Sequence, residues 1–335
     1  THNLYRFPEY LFTLYNTGET LIEVWQKADN DSEKLPIRRK YPFKSGVNIS
    51  FGCDNFCSYC IVPYVRGRER SRASSEILEE VKALAADGVV EIMLLGQNVN
   101  SYGKGLEEEI DFPRLLREVE KIEGISRIRF MTSHPKDLSD ELIEVMASSQ
   151  KICRHLHLPL QSGSDRILQA MNRRYTAKHY LSLIRKLREA MPELAITTDI
   201  IVGFPGETDE DVDETIQVVR EAQFENAFTF QYSQRKGTPA ASFENQGDPE
   251  KIQQNFDRLL AEVQEMAKRK AAVWEGKVVP VLVEEVNERE LSLVTGRMSQ
   301  NLLAHFPGGK ELVGKILPVR LKECKGFYYL GEMEN

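Results

Sequence analysis

Val47-Asn48-Ile49-Ser50-Phe51-Gly52-Cys53-Asp54-Asn55-Phe56-Cys57-Ser58-Tyr59-Cys60 is the stretch on which the reading of this chain turns. Val47–Phe51 has the short apolar composition of a strand. A C-x-x-x-C-x-x-C run follows it almost directly. Cys53, Cys57 and Cys60 put three soft thiolates into one tight loop, with no fourth beside them. An iron–sulfur cube has four corners, so three protein ligands leave one iron open to something else. A zinc site closes with a fourth Cys or His, and the nearest, His134 and Cys153, lie far along the chain. Three unrelated structural cysteines are the other alternative, an unusual coincidence with five cysteines in 335 residues. Phe56 and Tyr59 fill the gaps of the loop, where apolar packing would shield a cluster from water.

Outward from this loop, strand-like runs alternate with amphipathic helical stretches. Strands are expected at 47–51, 91–95, 127–132, 155–160, 195–202 and 227–232. Helices are expected at 74–87, 112–122, 139–148, 165–171, 177–190 and 209–222. Ser74 or Ser75 is the expected N-cap of the first of these and Gly88 its terminator. Six βα-type units in series predict an α/β fold with a parallel sheet, as a barrel or as an open doubly wound sheet. Either architecture places ligands at strand C-terminal ends. A long charged helix, 249–274, leads to five short strands at 276–286, 291–295, 302–306, 315–321 and 327–331. Those five predict a small β-barrel, with the boundary near Val273. His134, His155 and His157 are expected to pack and hydrogen-bond, not to bind metal.

The composition sets outer limits. The formal charge of −7 gives no global attraction to nucleic acid, so such binding needs a local basic patch. Arg66, Arg68, Arg70 and Arg72, just past the cysteine loop, form one suited to phosphates, or else a solvated, ion-paired loop. Arg38-Arg39-Lys40 is a weaker second patch. No apolar run is long enough to span a membrane. An odd number of cysteines, three of them clustered, favours a reducing cytoplasm over a secreted disulfide scaffold. The chain begins at Thr1, and the apolar, aromatic stretch 2–15 has no partner of its own. Residues 1–45 therefore read as the remnant and linker of a missing N-terminal domain.

The cysteine run after a first strand of repeated βα units resembles the radical S-adenosylmethionine superfamily. The stretch from Gly52 to Arg72, with Leu94-Leu-Gly-Gln-Asn-Val-Asn-Ser-Tyr-Gly103, His157-Leu-Pro-Leu-Gln-Ser-Gly163, Met171-Asn-Arg-Arg-Tyr-Thr176 and Asp199-Ile-Ile-Val-Gly-Phe-Pro-Gly-Glu-Thr208, is similar to its methylthiotransferases. Within them it is most similar to the group that modifies N6-dimethylallyladenosine in tRNA. The resemblance implies a partial (β/α)6 TIM-like barrel over 46–272 and a [4Fe–4S] cluster on Cys53, Cys57 and Cys60. It also implies S-adenosylmethionine, whose methionine end would occupy the free iron. Cofactor contacts are implied at Gly96, Gln97, Asn98, Gln161, Ser162, Arg173, Asp199, Val202 and Gly203. Bottom-up, Gly96-Gln97-Asn98 offers amide oxygens to an ammonium or simply caps a loop. Gln161 and Ser162 suit ribose hydroxyls, although Ser162 or Ser164 could equally cap a helix. Arg173, with Arg174 as rival, suits a carboxylate. Gly203 and Gly206 permit close backbone approach, to an adenine edge or in a structural turn.

Residues 273–335 resemble a TRAM domain, a small OB-like RNA-binding barrel, through Gly296-Arg297-Met-Ser-Gln-Asn301 and His305-Phe306. Arg297, Asn301 and Phe306 are its implied RNA contacts. The resemblance implies methylthio insertion at C2 of N6-isopentenyladenosine beside the anticodon, with the tRNA anticodon stem-loop as partner. It further implies a reductant such as flavodoxin or ferredoxin, a monomer, and a second, auxiliary cluster on an N-terminal domain of the full-length enzyme. Without that domain the chain is expected to bind and cleave S-adenosylmethionine but not to complete methylthiolation. Two rivals remain: a sister methylthiotransferase acting on threonylcarbamoyladenosine tRNA or a ribosomal-protein aspartate, and a non-catalytic RNA-binding protein with a structural cluster.

Overall fold

The computed structural model describes residues 6–23 and 38–334. Of the segment expected as a remnant and linker, 1–5 and 24–37 lie outside the described residues. Its helix α1 (Phe7–Thr17) ends at Gly18 in the left-handed conformation and buries none of its residues. The chain then runs through β1 (Lys44–Asn48), β2 (Ser50–Phe51), α2 (Val62–Arg66), β3 (Arg70–Ser71), α3 (Ser74–Ala86), β4 (Glu91–Leu95), α4 (Phe112–Glu120), β5 (Arg127–Phe130), α5 (Asp140–Ser148) and β6 (His155–His157). Next come α6 (Asp165–Ala170), α7 (Ala177–Ala190), β7 (Ala195–Val202), α8 (Asp209–Ala222), β8 (Asn226–Gln231) and α9 (Pro249–Ala272).

β1, β4 and β5 pair in parallel, as do β6, β7 and β8. An isolated parallel bridge, Ile128 to Ile152, joins the two halves. The six strands thus follow one another in chain order, and among the described residues the first and last do not pair. This is the partial (β/α)6 barrel. Side chains alternate as the pleat requires. Val47, Ile92, Leu94, Ile128, Phe130, Leu156, Ile196 and Ile200 join the helices in one buried core. The intervening residues face the lumen, where Arg129 meets Glu91 and His157 meets Asp199. No helix among the described residues is long and apolar enough to cross a membrane.

Two local expectations are corrected. The first strand ends at Asn48, short of Phe51, because Ser50 and Phe51 leave the sheet to pair antiparallel with Ser71 and Arg70 and so close the cysteine loop. Helix α3 is capped by neither serine: Ala73 is its N-cap residue, and Glu108 accepts from both the Ser74 amide and the Ser74 hydroxyl. A carboxylate from another loop therefore does the work of a local hydroxyl at the positive helix end.

After α9, strands β9 (Val278–Val286), β10 (Leu293–Met298), β11 (Leu303–Pro307), β12 (Ile316–Cys324) and β13 (Tyr328–Met333) close a barrel in the order β10-β11-β13-β12-β9. Its core holds Val281, Val283, Val294, Met298, Phe306 and Leu321, with Ala271 and Trp274 from the helix end. The small barrel sits against the N-terminal ends of the large barrel's strands. Arg127 donates to the carbonyls of Arg297 and Pro280, and Arg129 to those of Ser299 and Met298.

Candidate functional site

The cysteine loop is shaped by its backbone. Gly52 has φ +74°, and a Cβ there would overlap the Arg68 carbonyl, so only glycine lets the two limbs approach this closely. Cys53 donates its amide to Gly67 O (3.2 Å) and Cys60 to Cys57 O (2.9 Å). Phe56 has φ +47°, and Asn172 Nδ2 donates to the carbonyls of Asn55 and Phe56 (3.2 and 2.8 Å). Ser58 anchors the far limb by donating to Met171 O and Ala170 O. All three cysteines are free thiols, with Cys57 buried and the other two half-buried. Burial pushes the Cys53 and Cys60 thiols up, and Cys57 adds to both.

The donor set fits a cluster better than a single ion. Among the described residues no three His, Cys, Asp or Glu side chains gather closely enough to hold one metal ion. Zinc, with Zn–S near 2.3 Å, demands that convergence; a cube takes one thiolate at each of several separate corners. The candidates for a fourth zinc ligand are occupied elsewhere. His134 Nδ1 accepts from the Lys136 amide, and burial holds that imidazole neutral, down at about 2. Cys153 is buried beside β5. His155 and His157 bond Thr197, as packing histidines do.

The strand ends beside the loop hold polar atoms with no partner. Ser50 Oγ, Asn98 Oδ1 and Ser133 Oγ are buried and unbonded among the described residues. A Cβ on Gly96 would overlap Ser50 Oγ, and the Val99 amide donates to Thr132 O, which draws these segments together. Buried polar atoms are rarely left unsatisfied, so such a group marks a place for a ligand's donors. Asn98 is oriented by donating through Nδ2 to Asp137 Oδ2 (2.7 Å). Burial pushes Asp137 up, but its bonds from Lys136, Asn98 and Lys104 outweigh this and bring it down to about 2.

Other expected contacts are differently employed. Gln97 Oε1 accepts from the Gly52 amide (2.6 Å), so it fastens the cysteine loop instead of facing an ammonium. Ser162 is fully buried, its hydroxyl beside Thr215 and accepting from the Ser164 amide, which takes it away from a ribose. Gln161, at φ +74°, bridges to β7 through both its backbone groups and Asp199 and Ile201. Arg173 is buried and donates to Cys57 Sγ (3.5 Å), Tyr175 Oη and Pro159 O. Burial opposes its charge, but Tyr175, Tyr59 and Cys57 raise its pKa, so the cation stands against the cysteine loop; Arg174 is exposed. Val202 is buried. Ile252 of α9 fills the space beside Gly203, whose amide donates to Glu207 (2.5 Å).

The arginine run divides. Arg66 and Arg68 are exposed, Arg68 lying over the Phe56 ring and reaching Asp54. Arg70 lies over Phe51. Arg72 ties α3 to β1 through Glu80 and Asn48 O, a structural duty that removes it from a phosphate clamp. One expected contact on the small barrel is corrected. Phe306 is wholly buried in the barrel core and has no face for a base, because its inward position in β11 points it there. Arg297 pairs with Glu284 (2.9 Å) at the junction of the barrels. Asn301 sits at the β10–β11 turn with φ +68°.

Sequence reasoning missed an aromatic row. Phe228 and Phe230 stand opposite Asp199 and Ile201 on the lumen face, 47% and 51% exposed, and Tyr232 follows them. Aromatics at every second position of Phe228-Thr-Phe-Gln-Tyr232 were the available signal.

Comparison with known proteins gives two family matches: a Radical SAM superfamily model over residues 47–219 and a TRAM domain model over 273–333. A tRNA-2-methylthio-N(6)-dimethylallyladenosine synthase from Lachnoclostridium phytofermentans is 56% identical over 99% of this chain and 73% of its own length. One of the same name from Alkaliphilus oremlandii is 53% identical, over 99% and 71%. Among solved structures, the radical SAM coproporphyrinogen III oxidase of Escherichia coli shares the fold, with TM-score 0.52 and 14% identity over 86% of this chain and 71% of that one.

Proposed function

The chain belongs to the radical S-adenosylmethionine superfamily, and from that premise we propose that it is a tRNA-2-methylthio-N(6)-dimethylallyladenosine synthase, acting at C2 of N6-isopentenyladenosine beside the anticodon. The observation that carries this is the identity of 56% and 53% to synthases of that name across 99% of the chain. On this reading 46–272 is the radical domain and 273–335 the RNA-binding domain.

In this reading Cys53, Cys57 and Cys60 would hold a [4Fe–4S] cluster, and Gly96, Asn98 and Gln161 at the strand ends would hold S-adenosylmethionine. When bound, the cluster supplies the electron that cleaves the sulfonium of S-adenosylmethionine. The chain's own residues prepare the place. Arg173 sets a buried cation against Cys57, which favours added negative charge there. Gln97 and Asn172 fix the loop, and Asn98 Oδ1, buried without a partner among the described residues, would accept a hydrogen bond from the cofactor's ammonium. Phe56 and Tyr59, both half-buried, limit water around the loop. Arg66 and Arg68 meet RNA phosphates beside it. A small reductant such as flavodoxin or ferredoxin reaches the monomer from the cytoplasm.

The test uses the reconstituted, reduced chain with an anticodon stem-loop deuterated at C2 of its isopentenyladenosine. Deuterium should appear in 5′-deoxyadenosine, and Cys57→Ala should abolish it. Deoxyadenosine free of deuterium, formed equally with and without the RNA, would refute this substrate.

A further inference from the structure

The parallel sheet leaves two large apolar side chains substantially exposed among its described residues, Phe228 and Phe230, and they are neighbours on one face of β8. Their register fixes that face. In the parallel pair with β7, Phe228 stands opposite Asp199 and Phe230 opposite Ile201. Asp199 bonds His157 (3.3 Å), and the His157 ring meets Phe228 edge-on, with centroids 6.0 Å apart. Both phenylalanines therefore line the lumen. Ala227, between helices and sheet, is buried on the opposite face. The row is continuous with the cysteine loop. Tyr232 packs on Phe204 (5.6 Å), in the same cluster as Tyr59. Its hydroxyl is buried without a hydrogen-bond partner among the described residues. At the other end, Phe228 borders a cavity of about 210 Å³ whose far wall is Gln300, Asn301 and Phe327 of the small barrel.

A half-exposed Phe pair on a strand is costly to leave in water, and a soluble surface rarely keeps two together without a use. What fits this wall is a flat ring with an apolar arm. We propose that Phe228 and Phe230 are the specificity-determining residues for the target nucleoside, stacking its adenine and covering its five-carbon prenyl group. This rests on the synthase reading above and deepens it. Aromatic faces accept any base, so selectivity comes from the prenyl arm, which a water-filled lumen would not distinguish from a bare amine.

The experiment compares binding of two anticodon stem-loops, one prenylated and one not, to the reconstituted chain by fluorescence anisotropy. The wild type should prefer the prenylated RNA by about tenfold or more, the scale of a few methylenes in an apolar pocket. Phe230→Ala and Phe228→Ala should each lose most of that preference, because affinity for the prenylated RNA falls much further than affinity for the unprenylated one, which loses only the stacking. Phe230→Leu, which keeps apolar bulk, should retain part of the preference. Alanine variants that keep the full preference would overturn the inference and leave the synthase reading standing. A wild type with no preference would overturn the inference as well, and the deuterium-transfer result would then decide the synthase reading separately.

Discussion

Glu207 shows how much one residue beside the strand ends can matter. Burial pushes its carboxyl up to about 7, against the hydrogen bond it accepts from the Gly203 amide. An unfolded glutamate titrates near its ordinary value of about 4.3. Between those two values the native chain holds more protons than the unfolded one, so this group's contribution to stability falls as pH rises through that window. Above about 7 the penalty is complete, because the buried carboxylate is charged in both states but poorly solvated in the fold. Glu207→Gln should therefore unfold like the wild type near pH 4 and be more stable at pH 8, by up to about 3 kcal/mol. Urea denaturation of the two proteins at both pH values checks this; equal stability at pH 8 would refute it. At this same scale the sequence was uneven as a guide. Cysteine spacing needs no three-dimensional information, because three cysteines within eight residues share one loop whatever the fold. The inward turn of Phe306 and the tether on Arg72 depend on which face a strand buries and on an acid eight positions away. Composition does not carry either.

Among the elements, the loop between β2 and β3 is the one that a single atom can break. A Cβ on Gly52 would meet the Arg68 carbonyl while the backbone sits at φ +74°. Backbone has nowhere to retreat there, since Phe51 and Arg70 are paired across the same loop. Gly52→Ala should cost at least about 2 kcal/mol and markedly reduce iron bound per chain after reconstitution, read by metal analysis. Gly88→Ala is the control. It has φ +85° but open space around its Cβ position, so it should cost about 1 kcal/mol and leave the iron content unchanged. Elements of this kind were partly legible. Alternating strand and helix periods gave six parallel strands in chain order, since each unit is local. The β2–β3 pair was not, because two residues carry no period. The cap of α3 was also hidden, because its acceptor, Glu108, comes from a distant loop.

Across the whole molecule, the two barrels are joined by charges that neither barrel could bury alone. Glu91, Arg127 and Arg129 are all nearly inaccessible. Burial pushes the Glu91 carboxyl up, but Arg129, Lys44 and Arg127 outweigh that and hold it below its ordinary range. Lys44 also reaches Glu284 (2.5 Å) on β9, and Glu284 in turn holds Arg297. Together the two lumen arginines donate to four backbone carbonyls of the small barrel. Inward-facing charges at alternate positions of Arg127-Ile-Arg129 were visible in the sequence, but their partners are carbonyls, which every residue has. Hence the small barrel was legible as a unit and its docking was not. Removing one arginine leaves Glu91 less compensated and two carbonyls unpaired, which for a buried pair costs about 3–5 kcal/mol. Arg129→Ala should lower the melting temperature and split a single calorimetric transition into two, with the small barrel separating first. Limited proteolysis should then cut between α9 and β9, at Glu275–Lys277, faster than in the wild type. A variant that still melts in one transition at the wild-type temperature would show that α9, through Ala271 and Trp274 in the small barrel's core, holds the two parts together without these charges.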